Sequence, residues 1–406
     1  MAADERLLDG ITVVDLSTFV TGGFCSLMLA NQGADVIKIE RPETGDDIRQ
    51  SGPPFVDGES PYYWTVNYDK RSVELDLKSE AAREALYDLV AEADVLLQNF
   101  RPGTADRLGV GEADLRAHNE ALIYCDISAF GDSGPWSDRP GYDLLVQGLS
   151  GIMSVTGERD GDPVKVGLPA TDLITAMWAA FGIVGALYRR ALTGEGEYVE
   201  LGMLDAALPW LTKQAGRVFA GEEPERMGTK DPVLAPYQTF ETGDGYLNVA
   251  CLNAKLWEAF CAALDRPDLA ADPRFSDNAA RVEHMAQLEA EIESTLSERP
   301  AEEWLDAFVE AGVPAAPVQG VADALSNEQT EARGVVGSVG DGDREVPTIE
   351  HPLNFDRVTS GFRSPPPTLG EHTREVFREL GYDEAELDDL AAAGAFGDEY
   401  TGRRKS

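Results

Sequence analysis

Short β-branched runs separated by amphipathic stretches dominate the first half of the chain. Ile11 to Leu16 is the first such run. The pattern passes through Thr21-Gly22-Gly23, where a turn is expected, into an apolar stretch to about Asn31 that predicts a helix. Strands are then expected at Val36 to Ile39, Val73 to Leu77, Val95 to Gln98, Leu122 to Ser128 and Tyr198 to Leu201, with helices between them and a further helix through about Phe219. Strands alternating with helices predict a parallel sheet in an α/β domain.

Beyond Gly221 the texture changes. Pro236 to Ala250 reads as a hairpin turning at Gly243-Asp244-Gly245, and Val282, Met285, Leu288, Ile292 and Leu296 recur at the spacing of one helix face. The expected organisation is a large domain over residues 1–224 with a connecting helix from about 203, a small α+β domain over 225–325, and a return segment over 326–406. In that return segment Gly340-Asp341-Gly342-Asp343 marks a loop, and Pro365-Pro366-Pro367 leads into a helix at Glu371 to Leu380.

An apolar content of 43% in 406 residues supports a full core, while 73 acidic against 34 basic residues give a net charge of −39. The acid is dispersed, so nucleic acid is excluded as a partner, and the ordinary core distinguishes the chain from a disordered one. Such a surface suits concentrated salt, where the Debye length falls to roughly 3 Å at 1 M. The expectation is the cytoplasm of an extreme halophile. Cys25, Cys125, Cys251 and Cys261 match no metal or redox spacing, so no metal is expected and the thiols read as buried. The opening Met-Ala-Ala-Asp-Glu-Arg is no signal peptide. Leu173 to Tyr188, although uncharged, is expected to fall short of a membrane span.

Chemistry concentrates at Val166-Gly167-Leu168-Pro169-Ala170-Thr171-Asp172, which delivers one carboxylate from a tight apolar turn onto the first turn of an apolar helix. Exposed N–H groups and the helix dipole favour an ionised carboxylate there. Taken alone, Asp172 reads first as a helix cap and only second as a nucleophile. Glu40 closes the second strand where a ribose-binding acid would stand, but Thr21-Gly22-Gly23-Phe24-Cys25-Ser26 lacks the G-x-G-x-x-G turn a dinucleotide needs. The four histidines compose no triad.

With these features in view the chain resembles the class III CoA-transferases, the group of formyl-CoA transferase and carnitine CoA-transferase. The marks are Leu8-Asp9-Gly10, Val36 to Pro42 with Gly45-Asp46 and Arg49, Lys70-Arg71-Ser72 with Leu75 to Lys78, Asn99-Phe100-Arg101-Pro102-Gly103 with Arg107, Gly141-Tyr142-Asp143, the Asp172 turn, and Leu369 to Thr373. The resemblance implies a Rossmann-like large domain built from both chain ends, a small central α+β domain, and two interlocked subunits forming a homodimer. It aligns Asp172 with the catalytic aspartate. It aligns Val20, Thr21, Arg41, Leu75, Asp76, Leu77, Lys78, Asn99, Phe100, Arg101, Arg107 and Arg139 with CoA contacts. Arginine forks suit CoA phosphates, although each cation taken singly reads equally as a surface ion pair. Tyr142, Asp143 and Lys165 are weaker candidates for the substrate or for orienting the site, and Asp143 reads equally as a helix cap. Lys213, Arg217 and Lys230 are further candidates for a substrate carboxylate.

The activity implied is transfer of CoA, as substrate rather than resident cofactor, from an acyl-CoA to a small carboxylic acid through a mixed anhydride and an aspartyl-CoA thioester. Within the family the chain looks most like the transferases of halophilic archaea that use succinyl-CoA and mesaconate, so a C4–C5 dicarboxylate is expected. The glycine-rich loop of the formyl-transferring members is replaced by Cys251-Leu252-Asn253-Ala254. Two other readings stand beside this one: an acyl-CoA racemase, whose Gly-His-Asp histidine is Tyr142 here, and a non-catalytic CoA- or nucleotide-binding protein.

Overall fold

In the computed structural model residues 5–341 and 344–397 are described. Two compact units divide the chain, one from Met1–Ser150, Val166–Lys213 and Gln329–Ser406, the other from Gly151–Lys165 and Gln214–Glu328. The crossings differ from the expected 224 and 325, and Gly151–Lys165 goes with the second unit, an assignment no periodicity in the sequence marks.

The first unit carries six parallel strands, β1 (Thr12–Asp15), β2 (Asp35–Glu40), β3 (Lys70–Glu74), β4 (Val95–Gln98), β5 (Ile123–Ser128) and β6 (Glu197–Gly202). Their order is β3-β2-β1-β4-β5-β6. Val13 pairs with Val36 on one side and Val95 on the other, so the order reverses at β1 and opens a crevice beyond the carboxyl ends of β1 and β4. Successive residues feed opposite layers: Val14 packs with Leu86, Leu89, Val376 and Phe377, while Val13 packs with Leu29, Ala176, Ala180 and Ile183. Helices on both faces explain why the strands read as nearly continuous apolar runs.

Helix α1 (Phe19–Ala30) starts earlier than expected, so Thr21, Gly22 and Gly23 form its first turns and not a turn before it. Gly22 is required by packing, because a Cβ there would stand 2.1 Å from Ser17 Oγ. β3 also lies earlier than expected, and Leu75-Asp76-Leu77 leaves the sheet. After β6, Pro209 breaks the expected helix into Met203–Ala207, a 3₁₀ turn Leu208–Leu211 and Thr212–Phe219. In the return segment Val336–Asp341 pairs antiparallel with Arg344–Ile349 where only a loop was expected, and Gly342 and Asp343 lie outside the described residues.

Two further helices frame the site, α2 (Asp143–Leu149) and α3 (Ala170–Thr193). α3 corrects the expectation about its length: at 24 residues, with an 18-residue window of mean hydropathy 1.5, it is long and apolar enough to cross a membrane. Its inner face, however, is occupied by the sheet and α1. The outer face presents Trp178, Phe181, Val184, Tyr188 and Leu192, with Phe181 73% exposed.

The second unit has its own antiparallel sheet, Tyr237–Glu241 beside Tyr246–Ala250 and then Ala315–Pro317. Phe240, Val249, Phe260, Leu288, Ile292 and Trp304 form its core. The periodic stretch 282–296 is interrupted at His284, which separates Asn278–Glu283 from Met285–Leu296.

Candidate active site

Asp172 occupies the third position of α3, and Pro169 precedes the helix, so Asp172 is not the cap. That part falls to Asp143. Its Oδ1 accepts from Thr171 N and from Thr171 Oγ1, each at 2.9 Å, and its Oδ2 accepts from Gln147 Nε2 at 2.8 Å. Gln147 Oε1 in turn accepts from Val166 N at 2.8 Å, which fastens the apolar turn to α2. By capping α3, Asp143 also fixes the backbone from which Asp172 projects.

The Thr21 hydroxyl donates to Asp172 Oδ1. Thr21 and Asp172 each stand third in their helices, so two helix N-termini converge on one carboxylate. Burial pushes the Asp172 carboxyl up to about 6; the Thr21 bond opposes this and the Asp143 charge adds to it. Tyr62, which the sequence did not single out, belongs to these surroundings: burial first, then the charges of Asp172 and Asp143, raise its phenol.

Behind Thr21 lies a buried ionic network equally invisible in the motif reading. Asp15 ends β1 fully buried and accepts from Ser17 N at 2.9 Å and Ser26 Oγ at 2.6 Å. Lys38 Nζ reaches Asp46 Oδ2 and the Ser17 carbonyl, both at 2.9 Å, and Lys70 Nζ lies 3.4 Å from Asp15. Burial alone would raise the Asp15 carboxyl, but Lys38 and Lys70 bring it below its ordinary value. Lys70 is itself lowered to about 8 by burial, against the pull of Asp15. Asp46 Oδ1 accepts from Phe19 N at 3.0 Å. Asn99 closes the clamp across the crevice, accepting from Thr18 N at 2.9 Å and donating to Thr18 O at 2.8 Å. Phe19, at φ 60, is held in the left-handed region by these bonds. The signal for the network was present in Val36-Ile37-Lys38-Ile39-Glu40, since charges inside a doubly covered strand must find partners.

Hydrogen bonds join Thr21 to Asp172, Thr171 to Asp143 and Thr18 to Asn99 around the crevice, whereas the Val20 side chain is buried against Ile48, Tyr63 and Val66. Arg41, Lys78, Arg101 and Arg107 are exposed on segments that follow β2, β3 and β4, along the same carboxyl edge of the sheet. Arg41 is engaged by the Gly45 carbonyl at 3.1 Å and by Asp47, and Arg107 by Thr104 Oγ1 at 2.8 Å. Leu75 is core, so only its backbone can face a ligand, and its N–H goes to the Glu40 carbonyl at 2.9 Å. Leu77 and Phe100 rest partly on that core, and Asp76 Oδ1 accepts from Lys78 N at 3.1 Å. Arg139 is exposed, its guanidinium 5.0 Å from the Trp136 ring centroid. Tyr142 is 58% exposed.

Three other candidates belong to the second unit. Lys165 is exposed and belongs to the second unit, where Lys230 pairs with Glu289 and Arg217 with Glu222, each at 2.7 Å. Asn253 in the replaced loop caps the helix Ala254–Ala263 through Leu256 N at 3.0 Å. Glu40 is not a ribose acceptor: it is buried against Arg49, 2.6 and 2.8 Å away, and Ser72 Oγ at 2.6 Å. Among the described residues no group of three or more His, Cys, Asp or Glu is placed to hold a metal, and all four cysteines are buried as free thiols.

Comparison with known proteins agrees with this architecture. A model of CoA-transferase family III matches residues 8–373. The succinyl-CoA:mesaconate CoA-transferase of Haloarcula marismortui is 38% identical over 388 residues, which cover 93% of this chain and 97% of that protein. The succinyl-CoA:glutarate CoA-transferase of Mus musculus is 34% identical over 390 residues, 95% of this chain and 89% of that protein. A crystal structure of a CAIB/BAIF family protein from Brucella suis, 38% identical, aligns with a TM-score of 0.85 over 92% of this chain and 99% of its own. With a family model spanning most of its length and relatives of known activity on either side, this chain is an enzyme and belongs to CoA-transferase family III.

Proposed function

We propose that the enzyme moves CoA from succinyl-CoA to a C4–C5 dicarboxylate such as mesaconate, with Asp172 as nucleophile. The observation that carries this reading is the carboxylate itself: poorly solvated, pushed up to about 6, and still ionised in its majority at neutral pH. A carboxylate attacks a thioester well only when it is desolvated and aligned with an activated carbonyl. Attack on succinyl-CoA gives a mixed anhydride and CoA thiolate, the thiolate returns to the aspartyl carbon, and the acceptor acid reverses the sequence. Arg41, Lys78, Arg101 and Arg107, on the edge where open α/β sheets take ligands, are proposed to hold the phosphates, with Val20 and the Asn99 segment beside the pantetheine arm. The relatives named above pair succinyl-CoA with mesaconate or glutarate, which supports a dicarboxylate acceptor. A desolvated charge-assisted pair on the distal carboxylate contributes about 1.5 to 3 kcal/mol. Dicarboxylates should therefore outrun monocarboxylates of equal length by roughly tenfold to a hundredfold in kcat/KM. Acyl-CoA products from a panel of donors and acceptors test this, and equal use of acetate or butyrate would remove the dicarboxylate assignment.

A homodimer is also proposed, since the bare apolar face of α3 is the kind of surface a monomer in water does not keep. The charge of −39 supports a cytoplasm rich in salt.

A further inference from the structure

The hydroxyl of Thr21 has one proton to give, and it gives it to Asp172 Oδ1. In helices a threonine commonly donates back to the carbonyl four residues earlier. Here that carbonyl belongs to Ser17 and already accepts from Lys38 Nζ at 2.9 Å. The backbone that carries Thr21 is clamped on three sides, by Asn99 at Thr18, by Asp46 at Phe19 and by Lys38 at Ser17. Thr21 itself is 5% exposed, so the donor is fixed before any substrate arrives.

We infer that Thr21 is a catalytic residue whose hydroxyl is the oxyanion donor for the tetrahedral states formed at the carboxyl carbon of Asp172. The inference rests on the reading of Asp172 as nucleophile. With Oδ1 hydrogen-bonded, the other oxygen, Oδ2, attacks the donor thioester carbon, and the C–S electron pair leaves as CoA thiolate. The thiolate then adds to the aspartyl carbon and the carbonyl π pair moves onto Oδ1. Collapse restores that carbonyl and breaks the bond to Oδ2, which departs in the donor carboxylate. When the acceptor carboxylate adds to the thioester, the pair returns to Oδ1 and CoA thiolate is expelled. Finally the thiolate takes the acceptor acyl carbon, and Asp172 leaves as a carboxylate. No proton is consumed. Oδ1 carries the negative charge in each state centred on Asp172, and the Thr21 proton is already aimed at it. Such a donor needs no reorganisation as charge develops. The same bond opposes the effect of burial on Asp172 and keeps it ionised at rest.

Thr21→Val keeps the shape and removes the proton, Thr21→Ser keeps the proton, and Thr21→Ala stands in should the valine variant fail to fold. Loss of the donor is expected to lower kcat by roughly a hundredfold, with the KM for acyl-CoA nearly unchanged, and to move the acidic limb of the kcat profile to higher pH. Thr21→Ser should stay within about tenfold of the parent and keep its limb. The inference is overturned if the valine or alanine variant keeps the parental kcat, if the limb does not move, or if serine is as damaged as valine. A purely structural threonine would lower thermal stability without shifting the limb. Activity in Asp172→Asn would instead overturn the nucleophile reading. An inactive Asp172→Asn beside a fully active Thr21→Val would remove the Thr21 role alone.

Discussion

At the residue scale, a carboxylate that attacks a thioester must be ionised and yet poorly solvated, two demands that pull its pKa in opposite directions. Asp172 sits between them. Its value of about 6 predicts that kcat/KM falls tenfold per pH unit below about pH 6 with a single-proton slope, and a flat profile down to pH 4.5 would contradict the assignment. The same shift has a consequence for stability. The folded carboxyl binds its proton more tightly than the unfolded one, at about 6 against 3.8, so ionisation destabilises the native state. That penalty is absent below the unfolded value, develops as pH rises toward 6, and is fully present above it. Asp172→Asn should therefore melt higher than the parent at pH 7.5, by a difference on the order of 2 kcal/mol that disappears near pH 3.5. Calorimetry at the two pH values checks the sign. The apolar turn before Asp172 made this residue legible, because an acid entering an uncharged helix stands out. Thr21, 151 positions away, had no local signal for its bond, since only the fold brings the two helix ends together.

At the element scale, the entrance to α1 is the part of the fold that does most for the site. Gly22 lets the helix close against Ser17, whose Oγ and Cβ would lie 2.1 and 2.2 Å from an added methyl group. Gly22→Ala should cost roughly 1–3 kcal/mol and depress kcat by disturbing Thr21, and a denaturant midpoint unchanged from the parent would refute that packing argument. Asp143→Ala removes the acceptor for Thr171 N and leaves Gln147 with one partner fewer. The expected cost is about 0.5–2 kcal/mol, as for other lost caps, with urea unfolding as the readout. Period and composition made most strands legible, β4 to the residue. What they could not show was position within a helix. Thr21-Gly22-Gly23 looked like a turn because glycine is the usual mark of one, whereas here glycine serves close approach. Pro209 and His284 interrupt helices that apolar spacing alone would have carried through.

At the scale of the whole molecule, charge and apolar surface pull against each other. A net −39 repels further copies of the chain in dilute buffer, while the outer face of α3 favours association. Lowering salt from 1 M to 0.1 M lengthens screening from roughly 3 Å to 10 Å. The proposed dimer should accordingly be intact by sedimentation at several molar salt and lose thermal stability as salt is withdrawn; a monomer at high salt would leave that apolar face unexplained. Charge was readable from sequence, but the allocation of Gly151–Lys165 to the second unit was not, because its one short helix, Ile152–Val155, is too brief to carry a period. The central claim, that Asp172 becomes covalently attached to CoA, is tested most directly by intact-mass analysis of the parent and Asp172→Asn during incubation with succinyl-CoA. The parent should gain a CoA-sized increment that hydroxylamine removes, leaving a hydroxamate on the peptide containing Asp172, and the variant should gain nothing. No increment on the active parent, or an equal increment on the variant, would contradict the account.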